Sequence, residues 1–138
     1  MQYIVHRRYK GLCMSGPVNI PYGTVCEEKD GTIYHNGRPI CYDSSEDACQ
    51  YFARNDDGLG LQRGKLTQGI QKALRLRPGE SPEQRDERWA RTVWADAACQ
   101  QYRMQEHENT WIWNVAFYRA PLLDLQHISA LVGAGKGN

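Results

Sequence analysis

Asp30-Gly31 and Asn36-Gly37 set the fold class of the N-terminal third of this chain. Both dipeptides favour two-residue hairpin turns, whose central residues need positive φ. Only Thr32–His35 fits between them, so that stretch reads as a short strand flanked by antiparallel neighbours. Those neighbours are Thr24–Glu28 and Pro39–Tyr42. Residues 2–10 alternate loosely through Tyr3, Val5, Arg7 and Tyr9 and read as an earlier strand. A further short strand is expected around Leu12–Ser15, and "GPVNIPYG" (16–23) reads as turn punctuation. Val25, Ile33, Ile40 and several tyrosines are expected to supply the packed face.

The period changes after Asp43. Ser44, with Asp47 three residues on, predicts a helix start. Ala48, Cys49, Tyr51 and Phe52 follow at helical spacing, and Asn55-Asp56-Asp57-Gly58 reads as that helix's end. A second helix is predicted over Leu61–Arg77, with Leu66, Ile70, Ala73 and Leu74 on its apolar side and Pro78-Gly79 as its stop. Ser81-Pro82-Glu83-Gln84 is the clearest local signal: a capping serine, a proline at the first helical position and a glutamine able to close the box. Trp89, Val93, Ala97 and Tyr102 mark the buried side of that helix. Thr110–Tyr118 reads as a fourth helix or an irregular aromatic segment. A last helix starts at Pro121, buries Leu122, Leu125, Ile128 and Val132, and stops at Gly133. The expected architecture is a single α+β domain over 1–132. It comprises a small antiparallel β-meander (1–43), four or five helices packed on it (44–132) and a disordered tail (133–138).

Composition narrows function by exclusion. With a net charge of +1, no global field points to nucleic acid or membrane. No apolar run reaches the roughly 18 residues of a membrane span. The opening MQYIVHRRYK reverses the charge order of a secretory leader. The cysteines are Cys13, Cys26, Cys41, Cys49 and Cys99, an odd set that suits free thiols in a cytoplasm. Cys41, Cys49, Cys99, His107 and His127 lack metal-ligand spacing, so neither a metal nor a cofactor is expected. Gly58 to Gly64-Lys65 comes close to a phosphate loop but is one residue too long, and Leu66 stands where Ser or Thr is needed. No protease or hydrolase signature surrounds any cysteine–histidine combination. Asp56 and Asp57 are adjacent, and adjacent carboxylates rarely aim at one reacting centre. An enzyme is therefore not the expected class.

Two surfaces remain. The first is the corner Arg54, Asn55, Asp56, Asp57 and Arg63. Its acids are read as lying at a helix C-terminus, where the backbone already carries partial negative charge, and a poor local choice can mark function. Trp111 or Trp113, two apart in "TWIWN", adds an aromatic anchor if exposed. Pairing of Arg54 or Arg63 with Asp56 or Asp57 would make the corner structural instead. The second is a stripe of Lys65, Gln68, Lys72 and Arg75, which fall within about 80° on a helical wheel. Residues 61–77 hold Arg63, Lys65, Lys72, Arg75 and Arg77 and no acid. A solvated outer face explains such a stripe, yet solvated faces usually mix signs. The same residues suit phosphate contacts.

The stretch "YFARNDDGLGLQRGKLTQ", with "ERWARTVW", "CQQYR" and "ENTWIWN" downstream, resembles small uncharacterised proteins of phages and prophages of low-GC Gram-positive bacteria. That resemblance implies a phage-encoded protein in the bacterial cytoplasm and carries no activity. The expected function is a non-enzymatic accessory protein that binds a host or phage protein, a host defence component included. The alternative is a nucleic-acid-binding protein using the basic face of the 61–77 helix.

Overall fold

The computed structural model describes residues 1–103 and 113–133, apart from the side chains of Glu46, Asp47, Cys49 and Val115. The fold is α+β. The chain divides into two compact units, Met1–Lys65 and Leu66–Asn138, and the division falls within one helix.

The first unit carries the strands. β1 (Gln2–Val5), β4 (Val25–Lys29), β5 (Thr32–His35), β6 (Arg38–Tyr42) and β7 (Phe52–Arg54) form one antiparallel sheet in the order β6-β5-β4-β1-β7. The two hairpin turns fall where expected, with Asp30 and Gly31, and Asn36 and Gly37, all at positive φ. β2 (Tyr9–Cys13) and β3 (Gly16–Ile20) form a separate ribbon.

The strands and the first helix cap differ from expectation in four places. Residues 2–10 are not one strand: β1 stops at Val5, and Tyr9 begins the ribbon. "GPVNI" is a strand and not punctuation. Pro17 is tolerated because a two-stranded ribbon leaves edge positions that need no N–H, and Ile20 at its end is fully buried. Val25 is 46% exposed; its neighbour Cys26 faces the core with Tyr3, Val5, Ile33 and Ile40. The helix cap is Ser45, whose Oγ accepts from the Ala48 N–H, and not Ser44.

The resulting helix α1 (Glu46–Tyr51) is short. Phe52 leaves it in extended conformation and pairs with Val5, so the chain turns straight into β7. β1 thus has a partner on each side, which satisfies the backbone groups of a strand whose Tyr3, Ile4 and Val5 are buried.

Helix α2 (Gly60–Ala73) begins in the first unit. A Cβ built on Gly60 would overlap Ile4 Cγ2, and one on Gly64 would overlap the His6 ring. Two glycines four apart clear one helix face, and the helix lies close on the end of β1. That is the physical use of the glycines that imitate a phosphate loop.

The second unit is helical: α3 (Pro82–Thr92), α4 (Ala97–Gln100), α5 (Val115–Tyr118) and α6 (Leu122–Val132), with the last turns of α2. Ser81 and Gln84 close the expected capping box around Pro82, and Gly133 ends α6 in the left-handed conformation. Ile70, Leu74, Trp89, Val93, Phe117, Leu125 and Ile128 belong to one core cluster. The helix expected to run on from Ser81 past Ala97 instead stops at Thr92, and Asp96 caps α4 afresh, accepting from the Ala98 and Cys99 N–H groups. No described helix is long and apolar enough to cross a membrane.

Candidate functional site

The corner at 54–63 is a closed network. Because β7 intervenes, Asp56 and Asp57 do not follow a helix C-terminus; they precede the N-terminus of α2, where carboxylates are electrostatically favoured. Asp57 Oδ1 accepts from the Leu59 N–H at 3.0 Å, and Asn55 Oδ1 accepts from the Gly60 N–H at 2.9 Å. Both satisfy backbone donors at the helix entrance. Asp56 Oδ1 accepts from the Gln2 N–H at 2.8 Å, and Asn55 Nδ2 donates to Gln2 Oε1 at 2.9 Å. These bonds tie the loop to β1.

The cations close the network. Arg63 Nη1 and Nη2 donate to Asp57 Oδ1 and Oδ2 at 2.7 and 2.6 Å, and Nη1 also reaches the Arg54 carbonyl. Arg54 Nε donates to Asp56 Oδ2 at 3.1 Å. The Arg63 fork, then the Leu59 amide, holds the Asp57 carboxyl far below the ordinary carboxylate range. The Gln2 amide, then Arg54, lowers that of Asp56.

These bonds close the corner on itself, while the side chains of Arg54, Asp56 and Asp57 stay 43%, 41% and 45% exposed. Arg54, Asn55, Asp56, Asp57 and Arg63 do come together, but they neutralise one another, and Arg63 is only 7% exposed. Trp113 is buried, stacked on Phe117 at 4.1 Å between ring centroids, so it is no surface anchor. Trp111 lies outside the described residues. Cys41 and Cys99 sit in different core clusters. Burial pushes the Cys99 thiol up to about 12. His127 Nε2 lies 3.0 Å from Asp96 Oδ2. The Cys49 side chain and His107 lie outside the described residues.

The basic stripe fares differently. Lys65 is exposed in the first unit, and Gln68 is half-buried. In the second unit Lys72 and Arg75 are exposed and line one concavity of about 350 Å³ together with Arg77, Ala73, Leu76 and Pro78. The helix expected to reach Arg77 ends at Ala73. Pro78 disfavours helical geometry at Arg77, and the chain unwinds ahead of it.

Arg88 explains how this end is held. Its Nη1 donates to the Ala73 carbonyl at 3.4 Å, and its Nη2 donates to the Arg75 carbonyl at 3.1 Å. Nε and Nη2 also grip Glu80, each at 2.9 Å. Glu80 Oε1 accepts from the Arg77 N–H at 3.0 Å. Arg88 is the first reason the Glu80 carboxyl sits at about 2, with the Arg77 amide next. One guanidinium from α3 therefore caps the end of α2. Lys72 and Arg75 are left without that task, and neither makes an ion pair among the described residues.

Lys72 and Arg75 are visible from the sequence; Arg88 and Glu80 are not. The bonds from Arg88 to the Ala73 and Arg75 carbonyls span 15 and 13 residues and need a turn through Pro78-Gly79 that only the fold supplies. No known protein family, no curated protein and no solved structure matches the chain.

Proposed function

We propose that this protein acts by binding, without catalysis, and that its working surface is the basic end of α2 contacting nucleic-acid phosphates through Lys72, Arg75 and Arg77. The observation that carries the reading is the division of labour at this end. Arg88 caps the carbonyls and is neutralised by Glu80, while Lys72 and Arg75 stay exposed around a concavity with no acid of its own among the residues that line it. Cations left in water beside one another repel; an incoming phosphate relieves that repulsion and releases its counterions. The compensated corner at Arg54–Arg63 offers a partner no such gain.

The test is fluorescence anisotropy with labelled oligonucleotides at about 50 and 200 mM salt. Binding weakens steeply across that interval. Replacing Lys72, Arg75 and Arg77 together with Gln removes binding and leaves the circular dichroism spectrum intact. Absence of binding at the lower salt overturns the reading.

A further inference from the structure

The walls of the concavity are not uniformly cationic. Leu76, 47% exposed, lies between Arg75 and Arg77 in sequence, and Ala73 and Pro78 complete an apolar side. A duplex offers such a site only its phosphate rails, and Leu76 would lose or gain nothing there. An unstacked base has an apolar face to bury and a phosphate one sugar away. We propose, resting on the phosphate-binding reading above, that the site takes single-stranded nucleic acid, with a base seated on Leu76 and Pro78 and its phosphate held by Lys72 and Arg75.

One general property of bases and two observations support this choice. Unpaired bases pack on aromatic rings and guanidinium planes, and a base taken out of its stack also packs on apolar side chains. The volume, about 350 Å³, is at the lower end of small-ligand sites and suits one nucleotide. A second concavity of about 480 Å³ adjoins the first, sharing Arg77 and Pro78, and continues over Gln84 and Arg91 of α3. A chain leaving the first concavity thus meets a further cation and an amide. Glu87 also lines this second concavity, while Glu80 is already spent on Arg88. The track is therefore more weakly basic towards α3, and the tighter grip is at Lys72 and Arg75.

A base with its phosphate can come from a strand or from a free nucleotide, so the experiment has three ligands. A labelled single-stranded 12-mer, the same sequence as a duplex, and a nucleoside monophosphate are titrated against the full chain at low salt. The single strand is expected to bind at least about tenfold tighter than the duplex. Leu76→Ala should weaken the strand about fivefold and leave the duplex within about twofold. The salt slope for the strand should stay unchanged in that variant, because no phosphate contact is removed. A monophosphate that binds as tightly as the strand overturns the strand assignment and gives the same chemistry to a free nucleotide. Equal affinity for strand and duplex, or a Leu76→Ala variant indistinguishable from the parent, overturns the single-strand assignment and leaves phosphate binding standing. No binding of any ligand overturns both.

Discussion

Arg63 and Asp57 share a two-pronged ion pair in which the guanidinium is buried and the carboxylate stays half in water. That asymmetry decides what each substitution does. Removing Asp57 takes the carboxylate fork from a buried guanidinium; removing Arg63 leaves a carboxylate that water can serve and that still accepts from Leu59. Asp57→Asn keeps the Leu59 bond and should cost about 1–3 kcal/mol through the weakened fork. Asp57→Ala loses both bonds and should cost more. Urea unfolding with a constant m-value checks the order. An Asp57→Ala protein as stable as the parent would show that this ion pair does not hold the corner together.

Gly60 and Gly64 should resist replacement although alanine is the better helix former. The helix propensity gain is about 1 kcal/mol. Against it stands the overlap of a new Cβ with Ile4 at one position and with the His6 ring at the other. Overpacking of this kind costs about 1–3 kcal/mol, so the overlap wins. Gly64→Ala is expected to lower the urea midpoint, and Gly60→Ala, which also meets Asn55 Oδ1 and the Arg54 carbonyl, to lower it further.

Much of the fold is legible in the sequence because its signals are local. Asp30-Gly31 and Asn36-Gly37 dictate their turns by φ alone, and Ser81-Pro82-Gln84 builds its cap within four residues. What the sequence hides depends on distant partners. Phe52–Arg54 is helical by spacing and becomes a strand only because β1 offers an open side. That one strand reverses the electrostatics of Asp56 and Asp57, from the wrong end of α1 to the right end of α2. The spacing of Gly60 and Gly64 is a readable sign of a close helix approach. The basic face is visible as 17 residues without an acid (61–77), but the fact that frees it, Arg88 capping α2, is not.

Acid should unfold this protein through a small set of carboxylates. Asp56, Asp57, Glu80 and Asp96 all have folded-state pKa values below their ordinary ones, each through hydrogen bonds to its charged form. A depressed carboxylate contributes stability that is fully present above its unfolded pKa and is lost as pH falls through the folded value. For Glu80 that window runs from 4.5 down to about 2. Thermal midpoints should therefore hold from about pH 7 to 5 and fall steeply between about 4.5 and 2. Glu80→Gln should flatten that fall. A midpoint that drops equally between about pH 7 and 5 would contradict the assignment.

Thiol chemistry offers a check on burial that needs no substitution. Cys26 and Cys99 are enclosed in separate cores, and burial raises their thiols to about 11 and about 12. Only the thiolate attacks an alkylating agent, so both should be inert in the folded protein. Cys41 is also buried. Cys13 is half-exposed at the tip of the β2–β3 ribbon. Desolvation acts to raise its pKa, but the Ser15 hydroxyl and amide and the Arg38 charge outweigh it and lower the net value. Iodoacetamide at about pH 7.5 followed by peptide mass spectrometry should label Cys13 well ahead of Cys26, Cys41 and Cys99. Denaturant should equalise the four. Early labelling of Cys99 in native buffer would mean that the helical core around Trp89, Val93 and Phe117 opens far more readily than its packing allows.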